Sequence, residues 1–232
     1  GVTTRFFREK DKYLVETENE KGSMEVFEVK YTFGWEPLQQ YLVEFPDGRL
    51  QVLPTCWDVE KKEWYHIYPD EHIKPDDSLF WTRSMQNWDH MCADCHSTNL
   101  KKRFDPGTKK FSTIYSEINV ACEACHGPGQ RHVELARGGG GWDKVPYHGL
   151  VDLNSTNVAQ IEACAKCPAR RGPVYPNHHA GTRFLDHFLP EVTQPWTPQM
   201  SRPTYHVDGQ IDDEVYVYGS FIQSKMFHKE VR

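Results

Sequence analysis

Apolar and polar positions alternate in short runs over the first 55 residues. In Glu25-Val26-Phe27-Glu28-Val29-Lys30-Tyr31 the alternation is partial: Phe27, Val29 and Tyr31 share one side of an extended chain and Glu28 and Lys30 the other, as in a half-buried strand. Strands are predicted over 12–16, Met24–Phe33, 40–44 and 49–53. Turns are predicted at 18–22 and at Pro46-Asp47-Gly48. Residues 57–81 read as loop-rich, with Pro69 and Pro75 among aromatic side chains. From Ser84 the apolar spacing becomes helical. A helix over 84–96 would be capped by Ser84, and one over 116–126 would be stopped by Gly127-Pro128-Gly129. A third is predicted over 130–137, ahead of the glycine run at 138–141. A fourth runs over 155–169, capped by Ser155 or Thr156 and ended by Pro168 and Gly172. Segment 173–203, with six prolines, reads as irregular. Asp212 is placed as the cap of a last helix reaching about residue 229.

The pattern defines an α+β class with little regular structure: a small N-terminal antiparallel β region, 1–83, and a mainly helical part, 84–232. Composition adds a difficulty. Only 38% of the 232 residues are hydrophobic and the mean hydropathy is −0.71, so a core of aliphatic side chains alone would be thin. The 13% of aromatics, with 16 Gly and 15 Pro, nevertheless argue against plain disorder. Something besides aliphatic side chains is expected to fill the middle. A formal charge of −6 gives no reason to expect nucleic acid, and no apolar run approaches a membrane span. Nothing at the N-terminus resembles a signal peptide.

Cysteine spacing supplies the chemistry. Six of the seven cysteines form three C-x-x-C pairs, leaving Cys56 as a small buried residue beside Trp57. The first pair reads Cys92-Ala-Asp-Cys95-His96 and the second Cys122-Glu-Ala-Cys125-His126, the attachment signature of c-type haem. Two thiols on one helical turn reach the vinyl groups along one porphyrin edge. The next residue then stands under the ring, where an imidazole can bind iron. Zinc knuckles share the C-x-x-C spacing but leave both following histidines unexplained. A thioredoxin-type redox pair would need a βαβ setting that is absent here. Haems carried so closely along the chain should lie near one another, and each would act as a large apolar body for the helical part to pack around.

The third pair, Cys164-Ala-Lys-Cys167-Pro168, ends in a residue that cannot ligate iron. Three readings stand open: haem held by both sulfurs with an axial ligand from elsewhere, a disulfide or thiol pair in a lost haem site, or an error at Pro168. Arg170 and Arg171 nearby would pair with haem propionates or, in a catalytic reading, hold an anion. For distal ligands, His132 follows His126 too closely to pass round the same ring and would serve a neighbouring haem. His66 and His206 lie in aromatic or turn settings suited to a haem face, and His178 and His179 are candidates to replace the ligand that Pro168 cannot give.

The segments Tyr31-Thr32-Phe33-Gly34, Pro37-Leu38-Gln39-Gln40-Tyr41-Leu42-Val43, CADCHSTNL at 92–100, EINVACEACHGPG at 117–129 and GQIDDEVYVYGSFIQSKM at 209–226 resemble periplasmic multihaem c-type cytochromes. In these the haem module is often linked to tetratricopeptide repeats. The resemblance implies a haem-packed electron-transfer module, with His96 and His126 as proximal ligands and His132 and His206 near haem. Relatives carry histidine where this chain has Pro168, and they continue into a further haem motif beyond 221–226. The chain is therefore expected to be a truncated or processed piece.

The function expected is electron carriage through closely spaced haem c groups, between redox proteins or a quinone-linked donor and acceptor. A rival is reduction or oxidation of a small nitrogen or sulfur oxyanion at a haem with an open axial position. An extracellular haem filament is a third possibility. Haem is joined to thiols outside the cytoplasmic membrane, so a periplasmic or extracellular location is expected.

Overall fold

The structure, a computed structural model, describes residues 2–191, 205–212 and 216–231. The chain is α+β and divides into two compact units, 1–96 with 102–114, and 97–101 with 115–232.

The first unit is built on antiparallel strands β1 (Arg5–Glu9), β2 (Lys12–Glu18), β3 (Met24–Phe33), β4 (Leu38–Glu44), β5 (Leu50–Val52), β6 (Thr55–Asp58) and β7 (Glu63–His66). Their order is β1-β2-β3-β4-β6-β7, with β5 also paired to β4. The alternation read in 25–31 is present: Phe27, Val29, Tyr31 and Phe33 turn inward while the residues between them are exposed. Val15 stands opposite both Phe6 and Phe27. With Val43, Leu53, Phe80 and Trp81 it forms the buried centre of this unit. Gly48 turns the chain at a φ of 84°, where a Cβ would come 2.5 Å from the Phe111 carbonyl oxygen. Glycine is required there.

Two strands depart from the expectation. β1 has no counterpart in it, and β6 and β7 form a hairpin where a loop was expected. Aromatic side chains account for the hairpin: Trp57 and Trp64 pair across it with centroids 5.1 Å apart. Trp64 also stacks on Phe6 at 4.3 Å. Phe6 and Trp64 belong to the two end strands, so the sheet curls until those strands meet through their side chains.

The predicted helix over 84–96 is broken. A 3₁₀ turn at Ser84–Gln86 leads to α1 (Trp88–Met91) and α2 (Ala93–His96). Asn87, not Ser84, is the cap, its side chain accepting from the His90 amide at 2.9 Å. Asp89 in the first turn is buried and accepts the Leu50 amide at 2.7 Å, which ties α1 to β5. Residues 102–114 close this unit, with the Phe111 amide donating to the Asp47 carbonyl at 2.9 Å.

In the second unit only α3 (Cys122–His126) survives of the helix expected over 116–126. Buried Thr98 is the cause. Its amide donates to the Glu117 carbonyl, while its hydroxyl donates to the Asn119 carbonyl and accepts from the Ala121 amide, holding 117–121 extended. α4 (Gln130–Arg137) lies where it was read. α5 (Asn157–Cys164) is capped by Thr156 but stops well short of Ala169; Pro168 has no amide to donate to the Cys164 carbonyl, and the chain continues through turns, the Ala169 amide donating to the Ala165 carbonyl at 3.0 Å. β8 (Arg171–Pro173) pairs with β9 (Phe188–Pro190), flanking α6 (Phe184–His187), so part of the supposedly irregular stretch is ordered. Positions 192–204, with Pro195, Pro198 and Pro203, lie outside the described residues. The last expected helix is two, α7 (Tyr218–Ile222) and α8 (Lys225–His228), the second capped by Ser224. Asp212 does not cap them. Its carboxylate is 3.2 Å from Nε2 of His206. Ala165, Ala169, Phe184 and Phe188, with Tyr218 against them, form a small apolar cluster. Among the described residues no helix is long and apolar enough to cross a membrane.

Candidate functional site

The three cysteine pairs adopt one local geometry. In the first unit the Cys95 and His96 amides both donate to the Cys92 carbonyl, at 3.1 and 3.0 Å, so both sulfurs and the imidazole belong to one turn. His96 is exposed and meets Phe33 of β3 edge-on at 5.9 Å. Burial, and then the neighbouring Cys95, push the Cys92 thiol up to about 11. In the second unit α3 holds Cys122, Cys125 and His126 on its single turn, with both thiols exposed. Gly127 then turns the chain away at a φ of 73°, where a Cβ would lie 2.5 Å from Val151. The segment leaves the helix immediately after the histidine, at a position only glycine fits.

Cys164 and Cys167 repeat this turn, the Cys167 amide donating to the Cys164 carbonyl at 3.1 Å, and both residues are exposed. Partial desolvation, and then the nearby Cys125, raise the Cys164 thiol. The second and third pairs are therefore neighbours within this unit. Pro168 occupies the ligand position, and its carbonyl accepts the Tyr218 amide at 2.9 Å. Arg170 pairs with Glu191 at 3.0 Å. Arg171 donates to the Lys166 carbonyl and lies 3.9 Å over the Phe188 ring. Both are engaged within the protein rather than gathered around an anion.

The other histidines differ sharply. His132 directs Nδ1 at the His148 carbonyl, 3.0 Å away, which places the ring proton on Nδ1 and the lone pair on Nε2. His179 does the same with the Ala180 carbonyl at 2.8 Å. His66 Nδ1 faces both the Tyr68 amide at 3.0 Å and the Tyr68 carbonyl at 3.1 Å, so its contacts fit either tautomer. His206 faces Asp212 through Nε2. His178 has both ring nitrogens buried without a hydrogen-bond partner. Its ring lies against Phe188, His187 and Phe184. Burial, helped by Lys166, His187, Arg171 and His179, pushes it down to about 4, so the imidazole is neutral near pH 7. The sequence named His178 only as one of two adjacent candidates; nothing in it could reveal that the two differ. Among the described residues no three His, Cys, Asp or Glu side chains converge as around a metal ion.

The donor sets fit haem c. Each complete motif supplies two thiols and an imidazole from one turn, without the second pair of ligands that a zinc knuckle needs. Comparison with known proteins agrees. Residues 55–127 match the family of cytochrome c554 and c-prime, a stretch that takes in both complete motifs. The match supports a c-type cytochrome that binds haem c covalently and transfers electrons. No curated protein and no solved structure matches the chain.

Cys56 stands apart from this chemistry. It is fully buried and its thiol is pushed up to about 11 by burial, against hydrogen bonds with Gln40 and Tyr65. The thiolate is the reactive form. Cys56 is therefore expected to resist iodoacetamide at pH 8 in the folded protein and to react fully after denaturation. Peptide mass spectrometry reads the outcome, and rapid labelling of the native chain would contradict the burial.

Proposed function

We propose that the protein is a multihaem c-type cytochrome that carries electrons between redox partners outside the cytoplasmic membrane. The observation that carries the reading is the pair of complete C-x-x-C-H turns, at Cys92–His96 and Cys122–His126. In this reading Cys92 with Cys95, and Cys122 with Cys125, hold haem through thioethers, and His96 and His126 bind iron. Cys164 and Cys167 hold a third haem. Bound haem c supplies an iron that cycles between ferric and ferrous states. His132, its Nδ1 proton fixed by the His148 carbonyl, is the favoured distal ligand, on a haem other than that of His126. His206 would have to part from Asp212 before it could bind through Nε2, while His66 binds through Nε2 when its Nδ1 proton is held by the Tyr68 carbonyl. The module would comprise 84–232, preceded by the β-rich 1–83. The donor and acceptor would be a redox protein or a quinone-linked enzyme. Electron carriage is favoured over oxyanion chemistry because Arg170 and Arg171 are taken up by Glu191 and the Lys166 carbonyl.

Denaturing mass spectrometry of protein matured with the haem-attachment machinery tests this. The expected mass is the polypeptide plus three haems. Two haems, with none on the peptide containing 163–170, would remove the third site and leave the other two. A bare polypeptide accompanied by zinc would overturn the whole reading.

A further inference from the structure

We infer that His178 is the axial iron ligand of the haem carried by Cys164 and Cys167, standing in for the histidine that Pro168 replaces. The inference rests on the third haem proposed above.

Buried imidazole nitrogens are almost always hydrogen-bonded, because each one left unpaired has lost its water without gaining a partner. His178 has two such atoms. A side chain that bears this cost is better explained by a partner than by packing, and the neighbouring histidines do not bear it. His179 and His187 each direct Nδ1 at a backbone carbonyl. His178 has no such tie and keeps lone-pair capacity for a metal.

Its surroundings assign it to the third pair. His178 lines a cavity of about 240 Å³ together with Lys166, the residue immediately before Cys167, and with Glu123 and Ala124 of the second motif. Its ring packs on Phe184 and Phe188. Those two side chains form the apolar cluster with Ala165 and Ala169, which bracket Cys167 on either side. Arg171, just beyond the pair, caps Phe188 from 3.9 Å. The second motif already has a proximal histidine in His126, whereas the third has none. The imidazole without partners thus belongs to the packing cluster of the cysteine pair without a ligand.

The experiment uses the full chain carrying its haems. His178→Ala is expected to convert one haem per chain to a weaker-field state, seen as a high-spin signal in ferric electron paramagnetic resonance or a new ligand-exchangeable band in the visible spectrum. His179→Ala is expected to leave the spectrum unchanged. If His178→Ala does not fold, His178→Met keeps an apolar body at the site, and a sulfur-to-iron charge-transfer band appears only if residue 178 reaches iron. Introducing His178→Ala into a Cys164→Ser/Cys167→Ser chain is expected to change nothing further. A change there would assign His178 to the second haem and overturn the inference. Haem on the 163–170 peptide with a spectrum unmoved by His178→Ala, or no sulfur band in His178→Met, would overturn it and leave the third haem standing. Absence of haem from that peptide would overturn both together.

Discussion

Replacing Cys122 and Cys125 together by serine is expected to remove one covalent haem and, with it, the folded state of the second unit. The reason lies in what that unit buries. Its buried large apolar side chains, among the described residues, are Phe184, Phe188 and Tyr205; the other buried apolar positions are the small Ala163, Ala165, Ala169 and Ala180. A porphyrin that buries about 400 Å² of apolar surface contributes roughly 10 kcal/mol at about 25 cal/mol per Å². Domains as a whole are stable by only about 5–15 kcal/mol. Loss of one ring is then of the order of the entire stability. The first unit has its own centre in Val15, Leu42, Val43, Leu53, Phe80 and Trp81, and should keep its sheet. Proteolysis followed by mass spectrometry would show cleavage concentrated in 115–232 while 1–96 persists. A variant as resistant as the parent would refute a haem-dependent core.

The second large effect is local and does not need a cysteine. Phe184 is 1% exposed and packs on Phe188 and Tyr218, each with centroids 5.3 Å away, and on the edge of His178. Phe184→Ala deletes one of the two phenylalanines of a four-residue cluster whose other two members are alanines. The expected loss is about 3–5 kcal/mol, measured by denaturant titration of the haem-bearing chain. Phe184→Leu, which keeps most of the volume, should cost less than about 1.5 kcal/mol. If the two substitutions cost the same, the cluster is not the packing centre of this unit.

The sequence was legible wherever a short-range rule acts alone. The alternation of 25–31 marks β3, and Gln130–Arg137 forms its helix as the pattern indicates. The cysteine motifs are of the same kind, since their chemistry is confined to five consecutive residues. It misled where a distant partner intervenes. Asn87 takes the cap from Ser84 because α1 is anchored to β5 through Asp89 and Leu50, 39 residues apart. Thr98 straightens 117–121 from some twenty positions away, and no local propensity signals it. The β6–β7 hairpin was hidden by prolines farther along its segment, although Trp57 and Trp64 were its cue. The contrast between His178 and His179 was beyond any pattern, because it depends on which ring nitrogens a folded chain encloses.

The chain passes from one unit to the other at 96/97, returns at 101/102 and leaves again at 114/115. The returning segment is not decoration, for the Phe111 amide donates to the Asp47 carbonyl at the Gly48 turn and Thr113 lies beside the buried Asp89 carboxylate. A piece ending at His96 would lack both. The two units are therefore not interchangeable cassettes. A single recombination point, whether made by evolution or by an engineer, cannot hand either one intact to another protein, and so the β-rich unit and its motif are inherited with the unit that follows or not at all.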